Sequence, residues 1–153
     1  MTEDDARTLH SDRVKLEAQV AAHPFLCGIS EHHVRLLADC AMRSHFGAGA
    51  NRFYLIERGK VALESSTLGE SVRIDEIHDG DLLGWSWLFP PYAWHFTARA
   101  LEDTTAIFFY GTVLREYCEK DTALGFELFK RMSAVMLRRL QATRRKLLNA
   151  HQT

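Results

Sequence analysis

The chain has 153 residues and a formal net charge of −1, and 46% of its residues are hydrophobic and 25% charged. This length is typical of a single domain around one core, and the near-neutral charge excludes a general attraction to nucleic acid or membrane. The chain also lacks an apolar run of about 18 residues, and Met1–Asp5 is acidic where a signal peptide would be basic. We therefore expect a cytoplasmic protein without a membrane partner.

The first part of the chain predicts two helices. Residues 1–22 combine a polar tail with a helix that can be capped at position 11 or 12, and His23-Pro24 ends this helix. A second helix is expected over Glu31–Ala41, with Ser30 as its cap. The period of the apolar residues then changes to two from Met42 onward, which indicates strands.

The middle of the chain predicts several short strands. Phe53–Ile56 and Val61–Leu63 flank Gly59, which can take the positive φ of a hairpin turn. Val72–Ile77 is the next strand, and a last hairpin is expected around Glu102–Thr104, between strands at 98–101 and 105–109. Short strands at close spacing favour a sandwich or a barrel.

The last part of the chain is helical. A short helix over Val113–Cys118 precedes a long one that Asp121 or Thr122 can cap. The long helix exceeds what a small barrel can cover, so part of its apolar stripe should meet a partner, and we expect a homodimer through this helix. The stripe comprises Leu124, Leu128, Met132, Met136, Leu140, Thr143 and Leu147.

All three tryptophans lie in the segment Gly80–Glu102, together with a Pro-Pro pair. Aromatic side chains at this density either fill a core or wall a pocket. We favour the pocket, and packing of all three tryptophans in the core or at a dimer contact remains the alternative.

The order of elements and two motifs resemble the cyclic nucleotide-binding domain of catabolite-activator and FNR regulators, kinase regulatory subunits and gated channels. The motifs are the strand–turn–strand Phe53–Leu63 and Gly80-Asp-Leu-Leu-Gly84, which is similar to the start of the family's phosphate-binding cassette. The resemblance implies an α+β, mainly β fold: an antiparallel β-roll or jelly-roll with N-terminal helices and a long C-terminal dimerisation helix. It covers a domain over residues 23–148, followed by a tail at 149–153.

The cassette departs from the family at its charged positions. In the family, a glutamate accepts the ribose hydroxyl and an arginine pairs with the cyclic phosphate. Trp85 stands in the place of that glutamate and Trp94 in the place of that arginine, and tryptophan cannot supply the charge-assisted bonds that a buried phosphate requires. The resemblance aligns Gly84 with the family's glycine and Thr97 with its threonine.

The ligand is therefore expected to be held by replacement groups, if one binds. Cyclic AMP and cyclic GMP are candidates, bound weakly through Arg99 and the main-chain amides of 84–86, with His95 as a further donor. The expected ligand-binding residues are Gly84, Trp85, Ser86, Trp94, His95, Thr97 and Arg99. A second departure lies at Gly49–Asn51, where the family has a further strand and turn; either a hairpin is lost or residues are omitted from the sequence.

Other site classes find little support. Cys27, Cys40 and Cys118 lack a Cys-x-x-Cys spacing, which favours buried, reduced thiols over redox chemistry. The histidines form no His-x-His pair, so we expect no metal site. No nucleophile elbow, carboxylate pair or phosphate-binding loop indicates an enzyme. The last helix is basic, but no helix-turn-helix follows it, so direct DNA binding is not expected.

These patterns predict a stand-alone regulatory or sensor module that binds a small ligand in its β-roll and signals through its C-terminal helix. The alternative is a degenerate roll whose cavity is filled by Trp85 and Trp94, serving as a dimeric scaffold for protein interactions. A DNA-binding repressor fragment is the third and weakest hypothesis.

Overall fold

The computed structural model describes residues 3–45, 52–67, 70–90 and 97–152. The strands form two antiparallel sheets. The α+β class, the β-roll, the N-terminal helices and the long C-terminal helix are confirmed. The chain forms two compact units, residues 1–116 and 117–153.

Four α-helices and one short 3-10 turn are described. They are α1 (Glu3–Ala22), the 3-10 turn Pro24–Leu26, α2 (Glu31–Asp39), α3 (Gly111–Lys120) and α4 (Thr122–His151). The first helix begins at Glu3, well before the expected cap at position 11 or 12. The second helix ends at Asp39, and Ala41 begins a strand instead of ending the helix. None of the described helices is both long and apolar enough to cross a membrane.

Seven strands are described. They are β1 (Ala41–His45), β2 (Arg52–Arg58), β3 (Val61–Thr67), β4 (Glu70–Ile77), β5 (Leu82–Leu83), β6 (Thr97–Ala100) and β7 (Thr105–Tyr110). The first sheet has the strand order β1-β7-β2-β5 and the second the order β4-β3-β6. The expected short connection at Gly49–Asn51 lies outside the described residues.

Two of the predicted hairpins are wrong. The strands β2 and β3 belong to different sheets, and so do β6 and β7; β3 and β4 form the hairpin that the register shows. Gly59 has the expected positive φ, at 131°, but it turns a corner from one sheet to the other. Its N–H donates to Asp79 Oδ1 over 2.7 Å, which fixes this corner to the 78–81 turn.

The core of the roll lies between the inner faces of the two sheets. The rings of Tyr54 and Phe108 are tilted against each other with centroids 6.0 Å apart. The cluster is apolar throughout, so burial of its side chains stabilises the roll by the hydrophobic effect. Its members are Tyr54, Ile56, Leu83, Ala106 and Phe108 from the first sheet, and Val61, Leu63, Ile77 and Ala98 from the second.

The carbonyl oxygen of Ile56 joins three parts of the first unit. It accepts a hydrogen bond from the N–H of Gly80 over 2.9 Å and lies 2.9 Å from His23 Nε2. His23 Nδ1 accepts from the N–H of Phe25 over 3.2 Å, so the ring proton must be on Nε2, which donates to Ile56. The end of α1, strand β2 and the turn before β5 thus share one buried acceptor.

This arrangement favours a neutral His23. The residue is 4% exposed, and burial lowers the pKa of its imidazole, although its hydrogen bond to Ile56 and the charges of Glu57 and Asp81 act in the opposite direction. Protonating the ring would place a proton on Nδ1, which now accepts the bond from Phe25.

Two of the expected helix caps are present. Ser30 caps α2 and Asp121 caps α4, the latter by accepting from the N–H of Leu124 over 3.1 Å.

The three cysteines differ in burial. All three were expected to be buried, but Cys40 is buried, Cys118 is half-buried and Cys27 is exposed. Burial raises the pKa of the Cys118 thiol to about 11, so this thiol is a poor nucleophile.

The predicted stripe of α4 is buried near its start and exposed near its end, where the sequence analysis expected a partner. Its first members, Leu124, Leu128 and Met132, are buried, whereas Leu140 and Leu147 are 57% and 59% exposed. Heptad-like spacing drifts around a helix of 3.6 residues per turn, so one stripe does not stay on one side over this length.

We expect Gly59→Ala to destabilise the protein strongly. A Cβ at this position would lie 2.7 Å from the backbone Cα of Thr104 and would also be strained by the positive φ. We expect a loss of about 2–4 kcal/mol in the free energy of unfolding, measured by urea denaturation. Gly28→Ala is the matched control, because Gly28 has a positive φ but open space around it; equal losses in the two variants would contradict the packing argument.

We expect the stability to fall as the pH drops below about 6.5, the pKa of an unperturbed histidine. The unfolded chain binds a proton at His23 that the native ring resists, so the free energy of unfolding decreases by up to about 1.4 kcal/mol per pH unit in this range. His23→Gln keeps a donor for Ile56 and should flatten the slope, measured by urea titrations at several pH values. The same substitution at exposed His10 is the control; a slope that persists in His23→Gln would refute the assignment.

Candidate ligand-binding site

The segment that carries the candidate site leaves the first sheet at β5. Leu82 and Leu83 are buried and pair with Leu55 and Tyr54 of β2. Gly84 follows with a φ of 86°, a left-handed conformation that a side chain would strain. The chain therefore changes direction at Gly84, directly beside the core of the roll.

A single turn follows Gly84. The N–H of Leu88 donates to the carbonyl of Trp85 over 3.1 Å, and no helix is described over residues 84–90. The amides of 84–86 were expected to bind an anion if a helical turn began here. The structure shows one hydrogen-bonded turn beginning at Trp85, and anion binding by these amides stays a prediction.

The side chains of the turn differ in burial. Trp87 is 1% exposed, and Trp85 and Ser86 are half-buried. The Ser86 hydroxyl oxygen is itself buried and has no hydrogen-bond partner among the described residues. A buried hydroxyl without a partner is costly, so Ser86 is the described side chain best suited to receive a ligand's polar group.

Arg115 of α3 holds this turn from outside. Its Nη1 donates to the carbonyl oxygen of Trp87 over 2.8 Å, and the guanidinium is partly buried. Sequence analysis did not identify this residue. The contact joins positions 28 residues apart, and nothing in the local pattern of α3 indicates it.

Arg99 lies on the outer face of the second sheet. Its neighbour Ala98 belongs to the core of the roll, and successive strand residues point to opposite faces. The Arg99 guanidinium donates from Nε to Glu64 Oε1 over 3.0 Å and also from Nη2, and its side chain is 57% exposed. Thr97 shares this face and is exposed.

Glu64 therefore forms an ion pair with Arg99, the residue that was expected to hold a phosphate. It also accepts from the Ser71 hydroxyl over 3.0 Å, and the hydrogen bonds from Arg99 and Ser71 hold the pKa of its carboxyl below the usual range. Sequence analysis did not identify Glu64. In the strand pairing of the structure, Glu64 lies directly opposite Thr97. This placement does not support the expected phosphate contact of Arg99.

The expected site residues thus separate into three groups. Gly84, Trp85 and Ser86 lie together in the turn beside the core. Thr97 and Arg99 lie on the outer face of β6, and Trp94 and His95 lie outside the described residues. Among the lysines and arginines whose burial the structure describes, none is buried.

A separate cleft of about 320 Å³ lies beside the end of α1. Its polar lining includes Gln19, His23, Glu57 and Asp79. The imidazole of His23 and the carboxylate of Asp79 already make the structural hydrogen bonds described above, so the cleft is built around contacts that hold the fold.

A model of the cyclic nucleotide-binding domain family matches residues 44–121, just over half of the chain. The chain therefore belongs to the cyclic nucleotide-binding domain family. No curated protein matches the sequence significantly.

Solved structures show the same fold. A Geobacter metallireducens protein, assigned as cyclic nucleotide-binding, is 23% identical with a TM-score of 0.70, over 81% of this chain and 97% of that one. The catabolite activator protein of Thermus thermophilus is 21% identical with a TM-score of 0.61, over 84% and 63%. A regulatory subunit of a cAMP-independent protein kinase A from Trypanosoma brucei is 18% identical with a TM-score of 0.61, over 80% and 49%.

We expect Arg115→Gln to loosen the turn at 84–90. The substitution removes a charge-assisted hydrogen bond to the Trp87 carbonyl, which is typically worth about 1.5–3 kcal/mol. Amide hydrogen exchange of a peptide covering 84–90 should become faster, as followed by mass spectrometry. Glu116→Gln on the exposed side of α3 is the control, and unchanged exchange in Arg115→Gln would show that the contact does not hold the turn.

Proposed function

We propose that this protein is a regulatory module that binds a small ligand in its β-roll, beside the turn at 84–88, and signals through its C-terminal helix. Family membership supports a binding module. The buried Ser86 hydroxyl, which has no hydrogen-bond partner among the described residues, is the observation that supports a ligand site at this turn. It is a buried polar group in the turn that follows buried Leu82 and Leu83, and a few polar groups among apolar ones are the usual lining of a small-ligand pocket.

The ligand on this proposal is flat and mainly apolar where it meets the roll, with a polar group that bonds to Ser86. The described cluster in the interior consists of aromatic and aliphatic side chains, no lysine or arginine of described burial is buried, and Arg99 is engaged by Glu64. A buried phosphate needs a charged partner. Cyclic AMP and cyclic GMP remain candidates, with the base contributing more to binding than the phosphate.

On this proposal, the effect of the ligand passes from the turn to α3 through the Arg115 contact. A ligand that bonds to Ser86 changes the position of the 84–88 turn, and Arg115 transmits that change to α3 through the Trp87 carbonyl. The chain continues from α3 into α4 through Asp121, which caps α4. A ligand can shift this equilibrium only by the difference between its affinities for the two positions of the turn.

Two copies of the chain are proposed to pair through the first half of α4. Phe126 and Phe129 are 66% and 52% exposed and lie one turn apart, so they form a compact apolar contact. Glu127, between them in sequence, forms ion pairs with Lys130 and Arg131 over 3.0 and 3.1 Å.

Calorimetry with cyclic AMP, cyclic GMP and the corresponding nucleosides tests the ligand proposal. We expect Ser86→Ala to weaken binding about tenfold, the value of one hydrogen bond near 1.4 kcal/mol. Arg99→Ala should leave the affinity within about twofold. Nucleosides should retain most of the affinity of the nucleotides.

The opposite results are equally informative. Binding that Arg99→Ala abolishes would mean that the guanidinium leaves Glu64 to hold a phosphate, contrary to the proposal. Absence of heat with every compound would favour the scaffold alternative, in which tryptophan side chains fill the cavity.

A further inference from the structure

The helix α4 carries two apolar rows on opposite sides. Since an α-helix turns by about 100° per residue, Leu124, Leu128, Met132 and Val135 share one side, and these four are buried. The opposite side carries a second row whose members are all more than half exposed. We call these residues the outer row: Phe126, Phe129, Leu137, Leu140 and Leu147.

The outer row has a charged interruption in its second half. Leu137, Leu140, Arg144 and Leu147 follow one another at spacings of three, four and three. This spacing is that of the core positions of a coiled coil. Arg144 therefore occupies a core position, flanked by exposed leucines one turn before and one turn after it.

The charge of α4 is also divided between its two halves. Glu127 is the last acidic residue of the chain, and its ion pairs with Lys130 and Arg131 hold the pKa of its carboxyl below the usual range. The second half carries cations alone. They are Arg138, Arg139, Arg144, Arg145 and Lys146.

A second copy of the chain is a poor partner for this half. In a parallel two-fold pair, each residue of the seam meets its own copy, so Arg144 would face Arg144 between desolvated leucines. Like charges in contact destabilise such a pair, most strongly where water is excluded. An antiparallel pair offers only Glu127, which is already paired.

We propose that the second half of the outer row, within Leu137–Leu147, binds an acidic amphipathic helix of another protein. Leucine or isoleucine side chains of that helix would cover Leu137, Leu140 and Leu147, and a carboxylate would lie opposite Arg144. A single charged residue in a core position selects a complementary partner and fixes the register. This segment begins eight residues, or about 12 Å along the helix, after Phe129 of the proposed homodimer contact.

An acidic helix fits this surface better than an anionic membrane or DNA does. In a helix lying in a membrane interface, the apolar row enters the acyl region, and Arg144 at its centre would have to follow. In a DNA groove, the exposed leucines would remain without an apolar partner. The alternation of leucine and arginine along one row is matched by alternating apolar and acidic side chains.

The experiment uses the whole chain and a synthetic helical peptide as the probe. The peptide carries leucine at its core positions, one glutamate opposite Arg144 and glutamates at the flanks; a matched peptide carries glutamine in place of every glutamate. We expect the acidic peptide to bind at least about tenfold more tightly than the matched one, measured by fluorescence anisotropy, with an affinity that decreases with added salt.

Two protein variants identify the surface. Arg144→Glu should weaken binding of the acidic peptide about tenfold or more. Lys146→Glu makes the same change in net charge on the other side of the helix and should have a much smaller effect. Far-ultraviolet circular dichroism checks that both variants remain folded.

Three results would overturn the proposal. The first is that the two peptides bind equally or do not bind. The second is that the chain binds phosphatidylserine vesicles or duplex DNA in preference to the acidic peptide. The third is that Leu147→Cys readily forms a disulfide between copies, which would mean that a second copy covers this surface. Phe129→Glu separates this surface from the dimer. In sedimentation velocity it should dissociate a homodimer, while binding of the acidic peptide is retained.

Discussion

The buried carbonyl of Ile56 is the point on which the organisation of the first unit depends. It accepts hydrogen bonds from His23 and from Gly80, so the end of α1 and the turn that precedes the candidate site are fixed to the same strand residue. An unsatisfied buried carbonyl is costly, and the two donors remove that cost. Gly80 is suited to this place because a Cβ there would approach Pro24 to within 3.2 Å. The position of the 84–88 turn is thereby set from the N-terminal side, while Arg115 sets it from the C-terminal side.

Local patterns predicted the elements well and their partners poorly. The alternation in 53–63 correctly indicated two strands and a positive φ at Gly59, yet these strands belong to different sheets. A hairpin and a corner use the same local conformation of glycine, and the difference between them lies in which distant strand completes the ladder. The family resemblance correctly predicted the fold because it carries that long-range information.

The candidate site shows the same division. The period of two correctly indicated that Thr97 and Arg99 share a face, but it could not say that Ala98, and not its neighbours, points into the core. The acceptor of Arg99 lies on a strand 35 residues away, and Arg115 reaches across from a helix. Both contacts depend on tertiary packing, which no spacing within one segment encodes. The placement of Gly84 beside the roll was accessible from the motif alone, since its positive φ belongs to the turn chemistry of glycine.

The sheet order has a consequence for how the chain acquires its structure. The first strand, β1, pairs with the last, β7, and β2 pairs with β7 as well, whereas β3 and β4 pair as immediate neighbours. Contacts between distant segments form slowly, since closing a long loop costs entropy before the contact is gained. The β3–β4 hairpin is therefore the natural nucleus, and a ribosome must release β7 before the first sheet can close. Until then β1 has no strand partner and β2 can pair only with the short strand β5, and a nascent chain of this protein is most exposed to aggregation during that interval.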